Sequence, residues 1–141
     1  MIHTAIYDHL AADAGVSALV LSRIYRSGNV PKSPLFPYLV YQQLSGPHEH
    51  HQGGGSGLTA PRFQITCWSR SSSSAHTLAK AVREAMDSFR GSLGTSPNQV
   101  TVRALTIENE LDGFETETSA GVPSEFSVIQ DYQVWHVVST T

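Results

Sequence analysis

The sequence predicts an α+β fold, in which an antiparallel sheet of about four strands carries one long helix and a short N-terminal helix. Residues 38–44 and 62–68 are rich in β-branched and aromatic side chains and flank a polar, glycine-dense loop, which is the pattern of a hairpin. Residues 99–111 and 126–138 form a second pair of strand-like runs, and apolar side chains recur at helical spacing over residues 75–89. Two hairpins that flank one helix are typical of an antiparallel sheet with its helices on one side.

The N-terminal part is expected to contribute a short amphipathic helix and irregular connections. The apolar residues of the first dozen recur at helical spacing, at Ile2, Ala5, Ile6 and Leu10. Ser17 is expected to cap a second short turn, and residues 23–26 are expected to be extended. Gly28, Pro31 and Pro34 then predict an irregular segment that leads into the first hairpin.

Alternation along the first hairpin divides its side chains between two faces of the sheet. Tyr38 lies on one face of the first strand, and Leu39 and Tyr41 lie on the other. In the second strand, Cys67 shares a face with two large apolar residues, and Trp68 points the opposite way. Since both faces carry large apolar groups, we expect a helix to cover one face and further protein to cover the other.

The clearest helix follows a run of four serines at residues 71–74, one of which is expected to supply its N-cap. The apolar stripe that should pack on the sheet consists of Ala75, Leu78, Val82, Met86 and Phe89. Gly91 follows this stripe and is expected to end the helix.

The second hairpin is expected to contain a bulge and a long loop. The apolar alternation over residues 99–111 changes face near Ala104, which is typical of a β-bulge. Residues 112–124 are polar and acidic and contain two glycines, so we expect a loop there. The last strand is expected to point one set of side chains to a single face, namely Val128, Tyr132, Val134, His136 and Val138.

Length and composition limit the classes of protein to consider. The chain has 141 residues, 40% of them hydrophobic, and we expect a single domain over residues 1–141 with long loops at residues 46–58 and 112–124. A formal net charge of -3 argues against a dedicated nucleic-acid binder, which usually carries a basic patch. The single cysteine, Cys67, excludes an internal disulfide framework. We also expect no signal peptide and no membrane span, and therefore assembly in the cytosol.

His48, Glu49, His50 and His51 are the first candidate site, because imidazole and carboxylate groups bind zinc or nickel. Their spacing is not that of the helical His-Glu-x-x-His motif, and no fixed third ligand is evident. One interpretation is a small metal- or ligand-binding α+β protein that uses this loop. The other, which we favour, is a solvated loop that becomes ordered in an assembly, with no metal bound.

The remaining candidates do not form a catalytic or cofactor site. The glycines at residues 53–57 lie between two strands with no lysine after them, unlike a phosphate-binding loop. Cys67 lies mid-strand among apolar residues, where a thiol is inert. Asp131 and His136 are five apart on a strand and so point to opposite faces. We therefore predict no enzyme activity, no catalytic residues and no cofactor.

Four motifs in the first two thirds of the chain carry a family resemblance. They are Arg23-Ile-Tyr, Pro37-Tyr-Leu-Val-Tyr with Ser45-Gly, Ala60-Pro-Arg-Phe-Gln-Ile-Thr-Cys-Trp-Ser, and the helix with Ala75, Leu78, Ala79 and Val82. Their order and spacing resemble the tail-completion family of long-tailed bacteriophages, which includes tail-to-head joining and tail-terminator proteins. The likeness covers residues 2–93.

The resemblance implies a structural virion protein that forms a homo-oligomeric ring, a hexamer, at the head-proximal end of the tail. Such a ring terminates the tail tube, joins it to the head, or does both. The implied partners are other copies of the chain, the major tail tube protein and the head–tail connector protein, without a membrane. DNA is expected to pass through the lumen without specific binding, and the protein is expected in host cytoplasm during assembly.

The same interpretation assigns roles to particular residues. The candidate contacts with other subunits or partners are Tyr38, Tyr41, His48, His50, His51 and Trp68. Glu115 and Glu117, in the acidic loop, are the candidate lumen-facing residues, because negative charge lets DNA pass without sticking.

Overall fold

Three helices cover one face of a seven-stranded sheet in the part of the chain that the computed structural model describes, which comprises residues 2–32, 34–45, 58–95, 99–116 and 123–137. The helices are α1 (Ile2–Ala12), α2 (Ala14–Val20) and α3 (Ser72–Met86). The strands are β1 (Ile24–Arg26), β2 (Tyr38–Ser45), β3 (Leu58–Thr59), β4 (Arg62–Ser69), β5 (Gly91–Leu93), β6 (Val100–Thr116) and β7 (Pro123–Val137).

The sheet has the strand order β1-β2-β4-β7-β6-β5, and β3 pairs with β7 beside this path. All neighbouring strands are antiparallel except β1 and β2, which are parallel. Ala60 and Pro61 separate β3 from β4, because proline has no backbone N–H to donate to a neighbouring strand. The two long hairpins therefore meet where β4 pairs with β7, and β7 lies in the middle of the sheet.

The α+β class is confirmed, but the expected number of elements is wrong. The sequence predicts about four strands and two helices, whereas the described residues form seven strands and three helices. The strands that were not counted among the four, β1, β3 and β5, have three residues or fewer. Such runs are too short to show an alternating pattern, and only pairing with a long neighbour identifies them.

The helix boundaries follow from local hydrogen bonds at their first residues. The N-cap of α3 is Ser71, as predicted, since its Oγ accepts from the backbone N–H of Ser74 at 3.1 Å. The N-cap of α2 is not Ser17 but Asp13, whose Oδ2 accepts from the N–H of Val16 at 3.0 Å. Helix α3 ends at Met86, and the chain then turns through residues 87–90 into β5.

The predicted bulge near Ala104 is present, because the β6–β7 register shifts between Val102 and Ala104. A second shift, between Ile107 and Asn109, has no counterpart in the prediction. The described part of the expected loop at residues 112–124 is strand, since β6 extends to Thr116 and β7 begins at Pro123, and residues 117–122 lie outside the described residues. Polar composition indicates exposure, but here exposed residues belong to a hairpin that extends beyond the neighbouring β4.

The core lies between the helices and one face of the sheet. Phe63, Ile65 and Cys67 of β4 point into it and are fully buried, as the alternation predicts. From β7 the core receives the predicted set, of which the buried members are Val128, Tyr132, Val134 and His136. Burial raises the pKa of the Cys67 thiol, which is therefore un-ionised and unreactive.

Candidate assembly surfaces

The face of the sheet opposite the helices, here called the open face, carries no helix in the described part of the chain. A row of side chains crosses it from β2 to β6, because Val40 pairs with Thr66, Thr66 with Ile129, and Ile129 with Leu111. The first three side chains are half-buried by their neighbours, and Leu111 is 47% exposed. A row of this kind across four strands is an apolar surface that another protein can cover.

A polar row runs beside the apolar one. Gln42 donates from Nε2 to Oε1 of Gln64 at 3.2 Å, and Gln64 donates from Nε2 to Oδ1 of Asp131 at 3.3 Å. The amide of Gln64 is therefore held at both ends, and its orientation is set by the two bonds. The open face thus combines an apolar strip with a chain of hydrogen bonds.

A cluster of four aromatic rings, here called the aromatic corner, lies at one end of the open face and consists of Tyr25, Phe36, Tyr38 and Trp68. The rings of Tyr38 and Trp68, paired across β2 and β4, stack with their centroids 6.3 Å apart and an interplanar angle of 17°. Tyr25 and Phe36 contact Tyr38 edge-on at 6.0 and 5.1 Å, and the guanidinium of Arg70 lies 4.2 Å from the Phe36 ring centroid. Mutual packing of these rings makes the corner rigid before any partner binds.

Two polar contacts tie α3 to the outer strand β6. Arg83 donates from Nη1 to both carboxylate oxygens of Glu110, at 3.1 and 2.9 Å. His76 lies with Nε2 3.0 Å from Oδ1 of Asp112 and with Nδ1 2.8 Å from the carbonyl oxygen of Ser72. Both partners of the ring are acceptors, so it satisfies both only when protonated, and the Ser72 carbonyl followed by the Asp112 carboxylate raises the pKa of His76.

A family model for tail completion protein gp17 matches residues 4–136. The chain belongs to this family. It is accordingly a structural protein of the phage tail, and the resemblance seen in the sequence is confirmed over most of the chain, including the part beyond residue 93.

Solved structures share the fold of this tail completion protein. A chain from the virion of a native gene transfer agent particle has a TM-score of 0.65 and 19% identity, with 94% of this chain and 91% of that chain covered. A second solved structure has a TM-score of 0.52 and 15% identity, with 88% and 87% covered. No curated protein matches the sequence.

The structure separates the candidate contact residues of the tail completion protein. Tyr38 and Trp68 lie together at the aromatic corner, where Tyr38 is 7% exposed and Trp68 is half-buried. Tyr41 lies on the other side of the sheet, where it is 6% exposed and packs in the core. Burial raises the pKa of Tyr41, so its hydroxyl stays protonated. Little of either tyrosine side chain is left to touch a partner.

The remaining candidates lie after β2 in the sequence or near the end of β6. His48, His50, His51 and Glu117 lie outside the described residues. Glu115 lies in β6 with its backbone opposite Glu125 of β7, near the end of the long hairpin.

Neither a metal site nor a membrane span is found among the residues with described positions. Within that part of the chain, no three histidine, cysteine or acidic residues come together as metal ligands. No described helix of this tail completion protein has the length and apolar character needed to cross a bilayer.

Proposed function

We propose that this tail completion protein forms a closed ring of six copies at the head-proximal end of the tail. In this position the ring terminates the tail tube, contacts the head–tail connector protein, or does both. Its partners are other copies of itself, the major tail tube protein and the connector. The family match over residues 4–136 supports this role.

The open face is the observation that carries the proposal. Its apolar row, its Gln42–Gln64–Asp131 chain and its aromatic corner are all formed before assembly and lie on a rigid antiparallel sheet. Preformed surfaces of this kind bind with a small loss of conformational entropy. Trp68 is the proposed direct contact there, and the buried ring of Tyr38 holds it in place, because aromatic side chains in a preformed cluster often dominate binding energy.

The long β6–β7 hairpin supplies the second part of the proposal. It extends past the last β4–β7 pair, Ser69 with Phe126, and its end carries acidic residues. We assign Glu115 and Glu117 to the lumen of the ring. Their negative charge repels the phosphate backbone, so DNA passes through without specific binding.

The histidine-rich tip of the first hairpin is proposed to dock on a partner rather than to bind a metal. His48, His50 and His51 follow the end of β2 in the sequence, and β2 is paired with β4 over most of its length. Metal analysis of tag-free protein tests this assignment. A tightly bound metal in a one-to-one ratio would contradict it.

Two measurements test the ring. Light scattering of the purified protein over a range of concentrations should give a mass near six times 15.3 kDa, either alone or after addition of tail tubes. Electron microscopy with an antibody label should place the protein at one end of each tube. A strict monomer in both conditions, with unlabelled tube ends, would exclude the proposed role.

A surface variant tests whether the open face takes part in ring assembly or tube binding. Thr66→Glu introduces a charge at the centre of the apolar row, whereas Thr77→Glu introduces the same charge at an exposed position of α3, on the other side of the sheet. Thr66→Glu should weaken assembly or tube binding, and Thr77→Glu should leave both unchanged. Equal behaviour of the two variants, at equal thermal stability, would remove the open face from the proposal.

A further inference from the structure

Charge is divided between the two sides of the sheet. Seven of the twelve acidic residues lie within residues 108–131, and no lysine or arginine follows Arg103. Residues 14–48 show the opposite balance, with Arg23, Arg26 and Lys32 and no acidic residue. The strand order places β1 at one end of the sheet and β6 next to the other end, so the segment without acidic residues and the acidic segment lie far apart. Basic residues are also present beside β6, where Arg83 pairs with Glu110.

Among the described residues, strand β6 has no neighbouring strand on its outer side over residues 108–116. The short strand β5 pairs only with residues 100–102. Farther along β6, Ser88 donates its N–H to the carbonyl of Leu105, and Asp87 accepts from the N–H of Ile107. Beyond Ile107, no described strand lies on the outer side of β6. We call residues 108–116 the acidic edge.

A shallow hollow marks the acidic edge at its second bulge. It has a volume of about 230 Å³ and lies among Arg83, Ile107, Glu108, Asn109 and Glu110. Arg83 is already paired with Glu110. Glu108 is exposed, and within the described residues it accepts a hydrogen bond from the Thr106 hydroxyl at 2.8 Å but forms no ion pair. The hollow therefore offers an uncompensated carboxylate to an incoming cation.

Strand β1 has the second free edge. It pairs with β2 on one side, and the described residues place no strand on its other side. Arg26 ends this strand and is exposed, and Lys32 follows in the connection to β2, also exposed. Leu21 and Leu35 flank β1 in the chain and are 63% and 70% exposed. We call β1 together with Arg23, Arg26 and Lys32 the basic edge.

We propose that the basic edge of one copy lies along the acidic edge of the next copy in the ring. This inference rests on the ring proposed above and names its subunit interface. A ring of identical chains needs a head-to-tail contact between two different surfaces. Two free strand edges can join through the backbone, and opposite charge steers the right pair together. Contact between two acidic edges is opposed by like-charge repulsion, which disfavours a symmetrical dimer through this edge.

Charge reversal with rescue tests the interface by light scattering. Arg26→Glu alone, or Glu108→Lys alone, should raise the midpoint concentration for ring assembly at least about ten-fold, because the change recurs at every interface. The double variant carries both changes in each chain, so the reversed charges face each other again. It should recover most of the lost assembly.

Arg90→Glu and Glu84→Lys are the matched controls. Arg90 is exposed in the turn between α3 and β5, which pairs with residues 100–102 of β6 and not with the acidic edge. Glu84 lies on the outer side of α3, with its side chain 67% exposed. Each control makes the same charge change as one test variant and should assemble as the unaltered protein does. Thermal unfolding of all variants shows whether they are folded.

The possible results separate the two proposals. If the unaltered protein forms rings and the edge variants do so equally well, the edge pairing is wrong and the ring stands. If both single variants fail and the double variant is not rescued, the edges do not face each other, and the pairing is again wrong. If the unaltered protein forms no ring even with tail tubes, the proposed function itself is wrong.

Discussion

Tyr132 donates its phenolic hydrogen to Oε1 of Gln130 at 2.9 Å, in the middle of the core. Gln130 is fully buried and in turn donates from Nε2 to the carbonyl oxygen of Ala79 at 2.9 Å. A side-chain amide inside a core is costly to bury unless it is hydrogen-bonded. Here both ends of the amide are bonded, so the network joins the central strand β7 to α3.

Replacement of the Gln130 amide should destabilise the protein, because it leaves the Tyr132 hydroxyl without its acceptor. Gln130→Leu should lower the free energy of unfolding by about 2–3 kcal/mol, because the buried Tyr132 hydroxyl loses its acceptor. The double variant Gln130→Leu/Tyr132→Phe should be more stable than the single one. Urea unfolding measures both, with Gln43→Leu as the exposed control on β2. A single variant as stable as the unaltered protein would show that the network contributes nothing.

Gly94 is the position where a methyl group should be tolerated least. Its φ is +86°, and an added Cβ would lie 2.7 Å from Cα of Ala5 in α1. Gly94→Ala should therefore cost about 2–4 kcal/mol, from backbone strain and steric overlap together. Gly28 has a similar φ of +95° but open space around it. Gly28→Ala should cost only about 1–2 kcal/mol. Equal midpoints in thermal unfolding would show that α1 moves away without cost.

The contact between His76 and Asp112 should make stability depend on pH. The pKa of His76 is raised in the folded protein, so its contribution is fully present at low pH and is lost as pH rises through the folded pKa. His76→Gln should lower the unfolding temperature slightly at about pH 5.5 and leave it unchanged at about pH 9. The effect is about 1 kcal/mol or less, since the contact is solvent-exposed.

Asp112→Asn is the companion variant for this prediction, because it keeps the Ser72 carbonyl and removes only the carboxylate. It should reduce the pH-dependent difference without abolishing it. Burial lowers the pKa of His3 and of His136, so both oppose folding in acid. These two histidines are present in every variant, so their effect on stability is the same in each. It is therefore removed when variants are compared at the same pH. A His76→Gln effect that grew with pH would have the wrong sign for this contact.

Cys67 should be protected from thiol reagents as long as the protein is folded. Its side chain is fully buried, and burial raises the pKa of the thiol. Reaction then requires unfolding, so labelling at about pH 8 should be at least about a thousand-fold slower than in denaturant for a domain of ordinary stability. Absorbance of the released reporter measures both rates. Rapid labelling under native conditions would mean that β4 opens locally.

The sequence predicted those features that depend on neighbouring residues. The serine cap of α3, the buried face of β4 and the bulge near Ala104 are all readable from spacing and alternation. The opposite faces of Tyr38 and Tyr41 follow from their odd separation on one strand.

The features missed by the sequence depend on which strands become neighbours. Strands β1, β3 and β5 are defined by pairing alone. The stacking of Tyr38 on Trp68 needs the β2–β4 register. Arg83 and Glu110 form a contact although they are 27 residues apart in the sequence, and no local sequence pattern predicts such a contact. Acidic residues after Leu111 suggested a loop because charge reports exposure and not backbone conformation.

The buried Gln130 also marks the alignment of β7 against α3. A slip of β7 by one residue would turn Gln130 away from Ala79 and break the hydrogen bond between the strand and the helix. The same slip would turn Asp131 and Gln133 of the open face into the core, where burial of a charge and an amide is costly. Since β7 pairs with β3, β4 and β6, the alignment of this one strand is shared by three neighbours.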